Sequence, residues 1–224
     1  FGDSGNQVVI EEKLKGEEAS VLAMTDGRNV AFLPSSQDHK PVYDGDEGPN
    51  TGGMGAYSPA PVVDESVLSA VERDVILQAI HGMHTEERPY SGILYAGLMI
   101  TREGPSVLEF NCRMGDPELQ PLSMRLKSDI VPALMATAEG RLDEVELEWD
   151  PRPALCVMLA SGGYPGDYEK GFPIEGVEDA EAMDDVQVFH SGTARKNGRL
   201  VTDGGRVLGV TARGDTIRDA QDRA

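Results

Sequence analysis

A short segment near the middle of the chain carries side chains well suited to chemistry. Residues 107–111 alternate between apolar and polar, as a strand with one solvent-facing side does. In a strand, Glu109 and Asn111 point to one face while Leu108 and Phe110 pack behind it. A carboxylate and an amide oxygen on one rigid face suit a hard cation such as magnesium, which keeps part of its shell for water or phosphate oxygens. A solvated strand face without a metal is the alternative.

The residues that follow this segment extend the candidate site. Arg113 lies on the same face if the strand continues, and its guanidinium is suited to hold a phosphoryl group or a carboxylate. Asp116 and Glu118 then stand at the predicted start of a helix. They are either a cap and first-turn acids favoured by the helix dipole, or groups that orient a small amine substrate. Cys112 falls on the apolar face and is predicted to be a core side chain.

A long loop between Pro34 and Pro61 is the second candidate region. It has no apolar periodicity, and it places Asp38, His39 and Lys40 ahead of a series of glycines. Backbone amides of closely spaced glycines can approach an anion, but the spacing matches neither standard glycine-rich phosphate fingerprint. A loop of this length is usually functional or disordered, and an ordinary surface loop is the alternative. The glycines are Gly45, Gly48, Gly52, Gly53 and Gly55.

The N-terminal segment has the pattern of a strand, a linker and a second strand. Val8 to Ile10 is the first apolar run, the linker follows from Glu11, and Val21 to Met24 is the second run. A linker of this kind can offer backbone groups to a purine edge, and a carboxylate after it can accept hydrogen bonds from ribose hydroxyls. A plain acidic connection is the commoner alternative.

The elements that must position these groups follow from hydrophobic periodicity. Strand pairs and helices occur without strict βαβ alternation, which predicts an α+β fold with antiparallel sheets. Asp64 is a candidate cap for a helix with an apolar stripe that reaches Met83, and Ser128 is a candidate cap within a helical stretch from 118 to 140. Strands are predicted at 21–24, 29–33, 92–100 and 107–111.

Around Trp149 to Pro153, two prolines and neighbouring acidic residues mark a domain boundary. We therefore predict a larger domain at 1–148 and a small, mostly antiparallel domain at 154–224. Because the first strand has no upstream partner and the helix opened by Thr216 lacks a second apolar turn, we expect a fragment of a larger protein. Strands of the second domain are predicted at 154–160, 186–190, 200–202 and 206–212.

The amino-acid composition of the chain argues against several classes of function. With 39 acidic and 20 basic residues the net charge is −19, so nucleic-acid binding as the main function is excluded. No apolar run approaches the roughly 20 residues of a membrane span, and the start lacks a secretory signal pattern. Cys112 and Cys156 are the two cysteines, with no CxxC pair, so neither a disulfide framework nor a zinc knuckle is expected. We expect a soluble, cytoplasmic protein and favour a monomer.

Six stretches in order match one protein family. They are VVIEEKLKGEEAS, SSQDHKPVYDGDEGPNTGGMGAYSPAP, GILYAGLMI, VLEFNCRMGDPELQP, ASGGYPGDY and VTDGGRVLGVTA. Together they resemble the glycinamide ribonucleotide synthetase (phosphoribosylamine–glycine ligase) family of ATP-grasp enzymes. The resemblance covers essentially the whole chain. A motif such as EFN recurs across ATP-grasp ligases, whereas the combination is specific.

The resemblance implies an activity and its cofactors. Glycine's carboxylate is phosphorylated by ATP, and the amine of 5-phosphoribosylamine attacks the acyl phosphate to give glycinamide ribonucleotide. The implied cofactors are ATP and Mg²⁺, with Mn²⁺ as a substitute, and the implied partners are the two small substrates. Another ATP-grasp carboxylate–amine ligase, or a non-catalytic nucleotide-binding chain, are the alternative functions.

The resemblance also implies roles for individual residues. Glu109 and Asn111 are the implied magnesium ligands, and Arg113 lies near the transferring phosphate. Glu11 to Leu14 is implied to contact adenine, with Glu18 at the ribose. The substrate side of the cleft is implied to comprise Asp38, His39, Lys40, Gly52, Gly53, Gly55, Asp116 and Glu118. The implied catalytic residues are Arg113, Asp38 and Lys40. The family's lid lysine and its glycine-rich loop over the ATP phosphates have no counterpart here, so the isolated chain is expected to be inactive.

Overall fold

The computed structural model describes residues 5–224. The described part is an α+β fold with antiparallel sheets, as predicted. Its strands are β1 Glu17–Thr25, β2 Val30–Phe32, β3 Gln37–Asp38, β4 Pro41–Tyr43, β5 Glu47–Asn50, β6 Gly55–Ser58, β7 Gly92–Thr101, β8 Gly104–Asn111, β9 Ala154–Ala160, β10 Val186–His190, β11 Thr193–Lys196, β12 Arg199–Thr202 and β13 Arg206–Arg213. Its α-helices are α1 Glu65–Val71, α2 Leu77–Thr85, α3 Leu119–Arg125, α4 Ile130–Glu139, α5 Val177–Glu181 and α6 Ile217–Arg223.

The first sheet has the strand order β2-β1-β7-β8. β1 pairs with β7 along its whole length, and every residue from Ala19 to Thr25 is buried. Both faces of β1 are covered by other parts of the chain, which is why its sequence is a continuous apolar run and does not alternate. β8 pairs with β7 and forms one edge of this sheet.

A helical layer covers one face of the first sheet. α1 begins after Asp64, whose carboxylate accepts a hydrogen bond from the Val67 amide at 2.9 Å, so the predicted cap is confirmed. The helix continues through a π-helical turn at Glu72–Ile76 into α2. The apolar stripe predicted from the sequence packs on β1 and β7 in one buried cluster: Val21, Ala23, Val71, Val75, Ile76, Ile80, Leu94, Ala96 and Leu98.

The opposite face of the first sheet packs against α3 and α4. The predicted helical stretch is divided here, because Leu126 has extended backbone after α3 and α4 starts anew. The cap of α4 is Asp129, which accepts from the Val131 amide at 2.9 Å, and not Ser128 as predicted. Ser128 instead accepts a hydrogen bond from the Glu148 amide at 3.1 Å. The buried side chains of this cluster are Leu22, Met24, Leu33, Tyr95, Leu122, Ala133 and Leu142.

The second sheet has the order β10-β13-β9-β6-β3. It joins strands from before residue 60 with strands from after residue 153, since β6 pairs with β9 and sets Ala56 opposite Cys156. The strands after 153 do not extend the sheet that contains β8. The predicted division at residues 149–153 stays a prediction, and the shared sheet ties its two sides together.

Ionic contacts also hold the segment at this predicted boundary to the C-terminal strands. Asp150 accepts from Arg152 at 2.8 Å and from Arg213 at 3.3 Å, while Asp185 accepts from Arg213 at 2.6 Å and from Arg152 at 3.0 Å. We call Asp150, Arg152, Asp185 and Arg213 the arginine cluster. It links residues 63 positions apart in sequence, from the boundary to the end of β13.

Two further findings concern the N-terminal segment and membrane spans. The strand predicted from Val8 to Ile10 is wrong: these residues form no strand within the described chain, and their side chains are largely exposed. Local apolar character predicted the strand, but no neighbouring strand within residues 5–224 pairs with it. No helix in residues 5–224 has the length and apolar character needed to cross a membrane.

Candidate functional site

Polar side chains from the two sheets meet in a cleft of about 220 Å³. The cleft forms because β3 lies beside β1, where the backbone amide of Ser20 donates to the Ser36 carbonyl at 2.8 Å and the reverse bond measures 3.0 Å. We call this the polar cleft. Its lining includes Glu18, Ser20, Asp38, Lys40, Asn50, Tyr95, Gly97, Leu108 and Glu109.

Glu118 lies at the base of this region as a buried carboxylate, with 3% of its surface exposed. The Tyr95 hydroxyl donates to its Oε1 at 2.6 Å, and the Ser20 hydroxyl lies 3.3 Å from the same oxygen. Glu118 makes no side-chain capping bond to α3. The interpretation of Glu118 as a simple helix-start acid is therefore wrong, because its carboxylate points into the protein. A side chain at Gly115 would meet this carboxylate at 2.5 Å.

Asp38 is the second buried carboxylate of the polar cleft. Burial raises its pKa to about 6, and the negative charge of Glu118 acts in the same direction. The positive charge of Lys40, whose Nζ lies 3.8 Å from Asp38 Oδ2, opposes the shift only in part. A carboxyl group of this kind exchanges its proton near neutral pH, which suits it for acid–base chemistry.

Lys40 supplies positive charge to the same cleft. Its Nζ lies 2.7 Å from Glu18 Oε2. Partial burial lowers the pKa of the lysine, but the hydrogen bond to Glu18 and the charges of Asp38 and Glu109 outweigh burial and raise that pKa overall. Lys40 is therefore a charged ammonium held among three carboxylates. The structure brings together four sequence-predicted residues here, Glu18, Asp38, Lys40 and Glu109.

The register of β8 against β7 sets Glu109 opposite Gly97 and Asn111 opposite Tyr95. Directly opposed residues of an antiparallel pair share a face, so the register places both residues on the face of Tyr95. Glu109 lines the polar cleft, whereas Asn111 borders a separate cavity beside α2. Glu109 fits closely there because Gly97 has no side chain, whose Cβ would meet Glu109 Cγ at 3.0 Å. Within residues 5–224 no group of three His, Cys, Asp or Glu side chains is arranged to hold a metal. Two oxygen donors fit a cation that takes its remaining ligands from water or a bound phosphate.

The prediction that Leu108 and Phe110 are buried behind these donors is wrong. Leu108 and Phe110 are 37% and 48% exposed, and Cys112 is exposed. The helical layer packs on β1 and β7 and leaves the edge strand β8 partly uncovered. Strand β8 also ends at Asn111, so alternation does not extend to Arg113, whose exposed guanidinium donates to the Met114 carbonyl at 2.9 Å.

A second cluster forms around Arg206, a residue that the sequence interpretation missed. Its guanidinium contacts the carbonyl oxygens of Gly52 and Gly53 and the carboxylate of Asp116. The Gly52 amide donates to the Tyr164 hydroxyl at 3.2 Å, so the GGYPGDY segment also reaches this turn. The one local signal for Arg206 is a basic residue directly after two glycines, in VTDGGRVLGVTA.

His39 and Gly55 are not brought into the polar cleft. Alternation along β3 places Asp38 and Lys40 on one side and His39 on the other, where its ring lies 5.6 Å from that of Tyr57. His39 lines a separate cavity of about 390 Å³ between β6, β9 and α6. Gly55 lies in β6, and a side chain there would meet the Cys156 carbonyl oxygen at 2.6 Å, so close strand packing accounts for this glycine.

The predicted adenine linker lies apart from the polar cleft. Glu11 is exposed, whereas Leu14 is half-buried and lines a further cavity with residues of the turn between β7 and β8. Glu18, at the start of β1, does face the polar cleft through its contact with Lys40. The strand β1 thus connects the linker to the cleft.

Comparison with known proteins gives consistent matches. Residues 1–119 match the family described as Phosphoribosylglycinamide synthetase, ATP-grasp (A) domain, and residues 154–224 match the C domain of the same family. The chain is 58% identical over 222 residues to a phosphoribosylamine–glycine ligase of Rhodopirellula baltica, covering 99% of this chain and 51% of that protein. It is 57% identical over 225 residues to one of Pseudomonas aeruginosa, covering 100% and 52%.

A solved structure agrees with these relatives. The fold superposes on the phosphoribosylamine–glycine ligase of Thermotoga maritima with a TM-score of 0.82 and 36% sequence identity, covering 95% of this chain and 52% of that one. The chain spans about half the length of the curated relatives it matches.

Proposed function

The chain belongs to the phosphoribosylglycinamide synthetase family, and from this premise we propose that the protein carrying it joins glycine to 5-phosphoribosylamine with hydrolysis of ATP. The glycine carboxylate takes the terminal phosphoryl group of ATP, and the amine then displaces phosphate from the acyl phosphate. The products are glycinamide ribonucleotide, ADP and phosphate. The observation that carries the proposal is the polar cleft, in which Asp38, Lys40 and Glu109 converge beside buried Glu118.

In this proposal Glu109 and Asn111 hold Mg²⁺, or Mn²⁺ in its place, from one face of β8. Their shared face and the space at Gly97 support the assignment. The cation, when bound, neutralises phosphate charge during phosphoryl transfer. Glu18, at the mouth of β1, is placed to accept from ribose hydroxyls, and the Glu11 to Leu14 linker to border the adenine.

Lys40 is the group in the polar cleft proposed to stabilise negative charge on the transferring phosphoryl group. Its raised pKa keeps it charged, and its contact with Glu18 at 2.7 Å fixes its direction. To meet the developing charge, the ammonium has to turn from the Glu18 carboxylate towards the phosphoryl group. Arg113 is proposed to add positive charge from the exposed turn after β8, which requires its side chain to leave the Met114 carbonyl.

Asp38 is proposed to accept the proton that the amine loses as the carbon–nitrogen bond forms. A pKa of about 6 leaves Asp38 ionised at neutral pH and still basic enough to take a proton. Glu118, held by Tyr95 and Ser20, keeps Asp38 basic through its negative charge. The substrates are proposed to bind beside these carboxylates, on the side of Asp116 and the Gly52–Gly53 turn. We place this activity in the cytoplasm and in a monomer.

The test uses the protein that carries this sequence. It is supplied with ATP, Mg²⁺, glycine and freshly generated phosphoribosylamine, and amine-dependent ADP release is measured. We expect turnover that glycine supports and other carboxylic acids do not, lost in Glu109→Gln and kept in Glu65→Gln, an exposed control on α1. Preference for another carboxylic acid would favour a different ATP-grasp ligase. Binding of ADP and Mg²⁺ without turnover would favour a non-catalytic nucleotide-binding role.

The 224-residue chain alone is the second arm of the test. Phosphoryl transfer depends on positioned positive groups around the phosphates, and we propose that segments outside this chain supply part of them. We expect turnover far below the usual enzyme range of about 1 to 1000 per second. Turnover in that range, abolished by Glu109→Gln, would show that this chain holds the whole catalytic machinery.

A further inference from the structure

We propose that Arg206 is a positioning residue: it holds the Gly52–Gly53 turn and the Asp116–Glu118 segment in one fixed arrangement, so that the two bind the non-nucleotide substrates together. This inference rests on the proposed function for the identity of those substrates. The positioning itself follows from contacts in the structure. It gives the C-terminal part of the chain a direct part in building the substrate side of the site.

One guanidinium makes all of these contacts. Its Nη1 donates to the carbonyl oxygens of Gly52 at 2.8 Å, Gly53 at 3.3 Å and Asp116 at 2.8 Å. Its Nη2 donates to the Asp116 carboxylate at 3.0 Å. The partners lie 154 and 90 positions away in sequence for Gly52 and Asp116. A planar fork of donors fixes direction as well as distance, which a lysine ammonium does not.

Close packing leaves little room for a side chain at Gly52 or Gly53. A Cβ on Gly52 would lie 3.1 Å from the guanidinium carbon of Arg206. Gly53 has a φ of +108°, and its Cβ would lie 2.4 Å from Cδ of Pro117. The turn is therefore closely packed against Arg206 on one side and against the Asp116–Glu118 segment on the other. A surface loop without a positioning role has no need of such close approach at both residues.

Arg206 and Asp116 are each held by further hydrogen bonds. Arg206 opens β13, its carbonyl accepts from the Gly192 amide at 2.9 Å, and its side chain is 19% exposed. Gln120 donates to the other carboxylate oxygen of Asp116 at 2.9 Å. Glu118, two residues after Asp116, accepts a hydrogen bond from the Tyr95 hydroxyl at the base of the polar cleft. A displacement of the Asp116–Glu118 segment therefore moves the carboxylate that faces Asp38.

The predicted consequence is a selective kinetic effect. The Gly52–Gly53 turn and Asp116 contact Arg206, whereas the proposed nucleotide linker from Glu11 to Leu14 borders a cavity at the turn between β7 and β8. In Arg206→Lys we expect the KM for glycine or phosphoribosylamine to rise at least tenfold and the KM for ATP to change less than threefold. A general loss of folding would instead lower the amount of active enzyme and leave the KM values unchanged.

The experiment measures kinetics and amide hydrogen exchange on the protein that carries this sequence. We expect Arg206→Lys to speed exchange in residues 50–55 at least fivefold, with the fold retained. Asp116→Asn, which keeps the size of the side chain and removes its charge, should give a smaller change in the same direction. Arg199→Ala is the matched control, since Arg199 is an exposed arginine on β12 whose side chain makes no hydrogen bond within residues 5–224.

The outcomes separate this inference from the proposed function. Wild-type exchange rates at residues 50–55 in both Arg206→Lys and Asp116→Asn would overturn the positioning role, whatever the activity. Equal increases in the KM values for ATP and for the other substrates would also overturn it. If the wild-type protein makes no glycinamide ribonucleotide, the proposed function fails, and hydrogen exchange alone decides whether Arg206 holds the turn.

Discussion

The polar cleft, with Glu118 at its base, and the arginine cluster both bring carboxylates close together, but they shift the pKa of an aspartate in opposite directions. In the arginine cluster, the hydrogen bonds from Arg152 lower the pKa of Asp150 to about 2. In the polar cleft, burial raises the pKa of Asp38 to about 6. Burial has the largest effect on the pKa of Asp38 and the charge of Glu118 adds to it, whereas the hydrogen bonds from Arg152 outweigh burial at Asp150. Asp150 and Asp185 are bridged by arginines, whereas Glu118 is held by the neutral hydroxyl of Tyr95.

This contrast separates a structural from a functional arrangement of like charges. Carboxylates that each face an arginine are ionised at neutral pH and contribute to stability. Two buried carboxylates close together disfavour each other's ionised form. Such an arrangement is kept where the chemistry needs a group that exchanges protons. The folded protein thus combines one cluster that ties the segment at residues 149–153 to the C-terminal strands with another whose charges oppose folding.

The largest effect expected from this contrast is on activity. Asp38→Asn removes the proposed proton acceptor while keeping the size of the side chain, and we expect kcat to fall about 100-fold, the usual scale for loss of a general base. Asp150→Asn, the matched change in the arginine cluster, should leave kcat within threefold of wild type. Both are measured by amine-dependent ADP release. Comparable losses in the two variants would remove the functional distinction between the clusters.

The second effect is on the free energy of unfolding. Because the pKa of Asp38 is raised in the folded state, from 3.8 to about 6, the folded protein binds this proton more tightly than the unfolded chain. Wild type therefore loses stability relative to Asp38→Asn as the pH rises from about 4 to 6, by roughly 3 kcal/mol at most. Above pH 6 we expect Asp38→Asn to be the more stable protein. Urea unfolding at several pH values measures the difference, and a less stable Asp38→Asn at pH 7 would contradict it.

The third effect has the opposite sign. Asp150 has a lowered pKa, so its stabilising contribution is present above about pH 4 and is lost as the pH falls towards 2. Asp150→Asn should lower the free energy of unfolding at pH 7 by roughly 2 kcal/mol, as expected for lost hydrogen bonds to charged groups. The same urea titrations test this. A difference from wild type that persists unchanged at pH 2 would show that ionisation of Asp150 is not its source.

Part of this architecture could be predicted from sequence. The register of residues 109–111 agrees with the alternation that places Glu109 and Asn111 on one face. A register shift interrupts the alternation at Leu108, which lines the polar cleft together with Glu109. The same pattern wrongly predicted burial of Phe110, because alternation does not say whether a second layer covers the face. The edge position of β8 is decided by the whole sheet.

Other roles could not be predicted from local sequence, because contacts between segments far apart in the chain create them. Ser20 and Tyr95 are ordinary strand residues until β1 and β7 pair and bring both hydroxyls to Glu118. Glu118 has the local pattern of a helix-start acid, and its burial depends on contacts 23 and 98 positions away. Arg206 reaches Gly52 across 154 positions and Asp116 across 90. No periodicity within a short window contains this information.

The smallest effect concerns how Glu118 is held within the polar cleft. The Tyr95 hydroxyl donates to Glu118 at 2.6 Å, whereas the Ser20 hydroxyl is 3.3 Å from the same oxygen and 2.7 Å from the Tyr95 oxygen. Ser20→Ala removes the weaker contact and leaves the Tyr95 bond in place, so we expect a loss of about 1 kcal/mol in the free energy of unfolding. Tyr95→Phe should have the larger effect, because it leaves a buried charge without its short hydrogen bond. Urea unfolding of both variants at pH 7 gives the ranking. If Ser20→Ala were the more damaging change, Ser20 and not Tyr95 would be the residue that stabilises the buried carboxylate. Ser20 would then be the neutral partner that distinguishes this cleft from the arginine cluster.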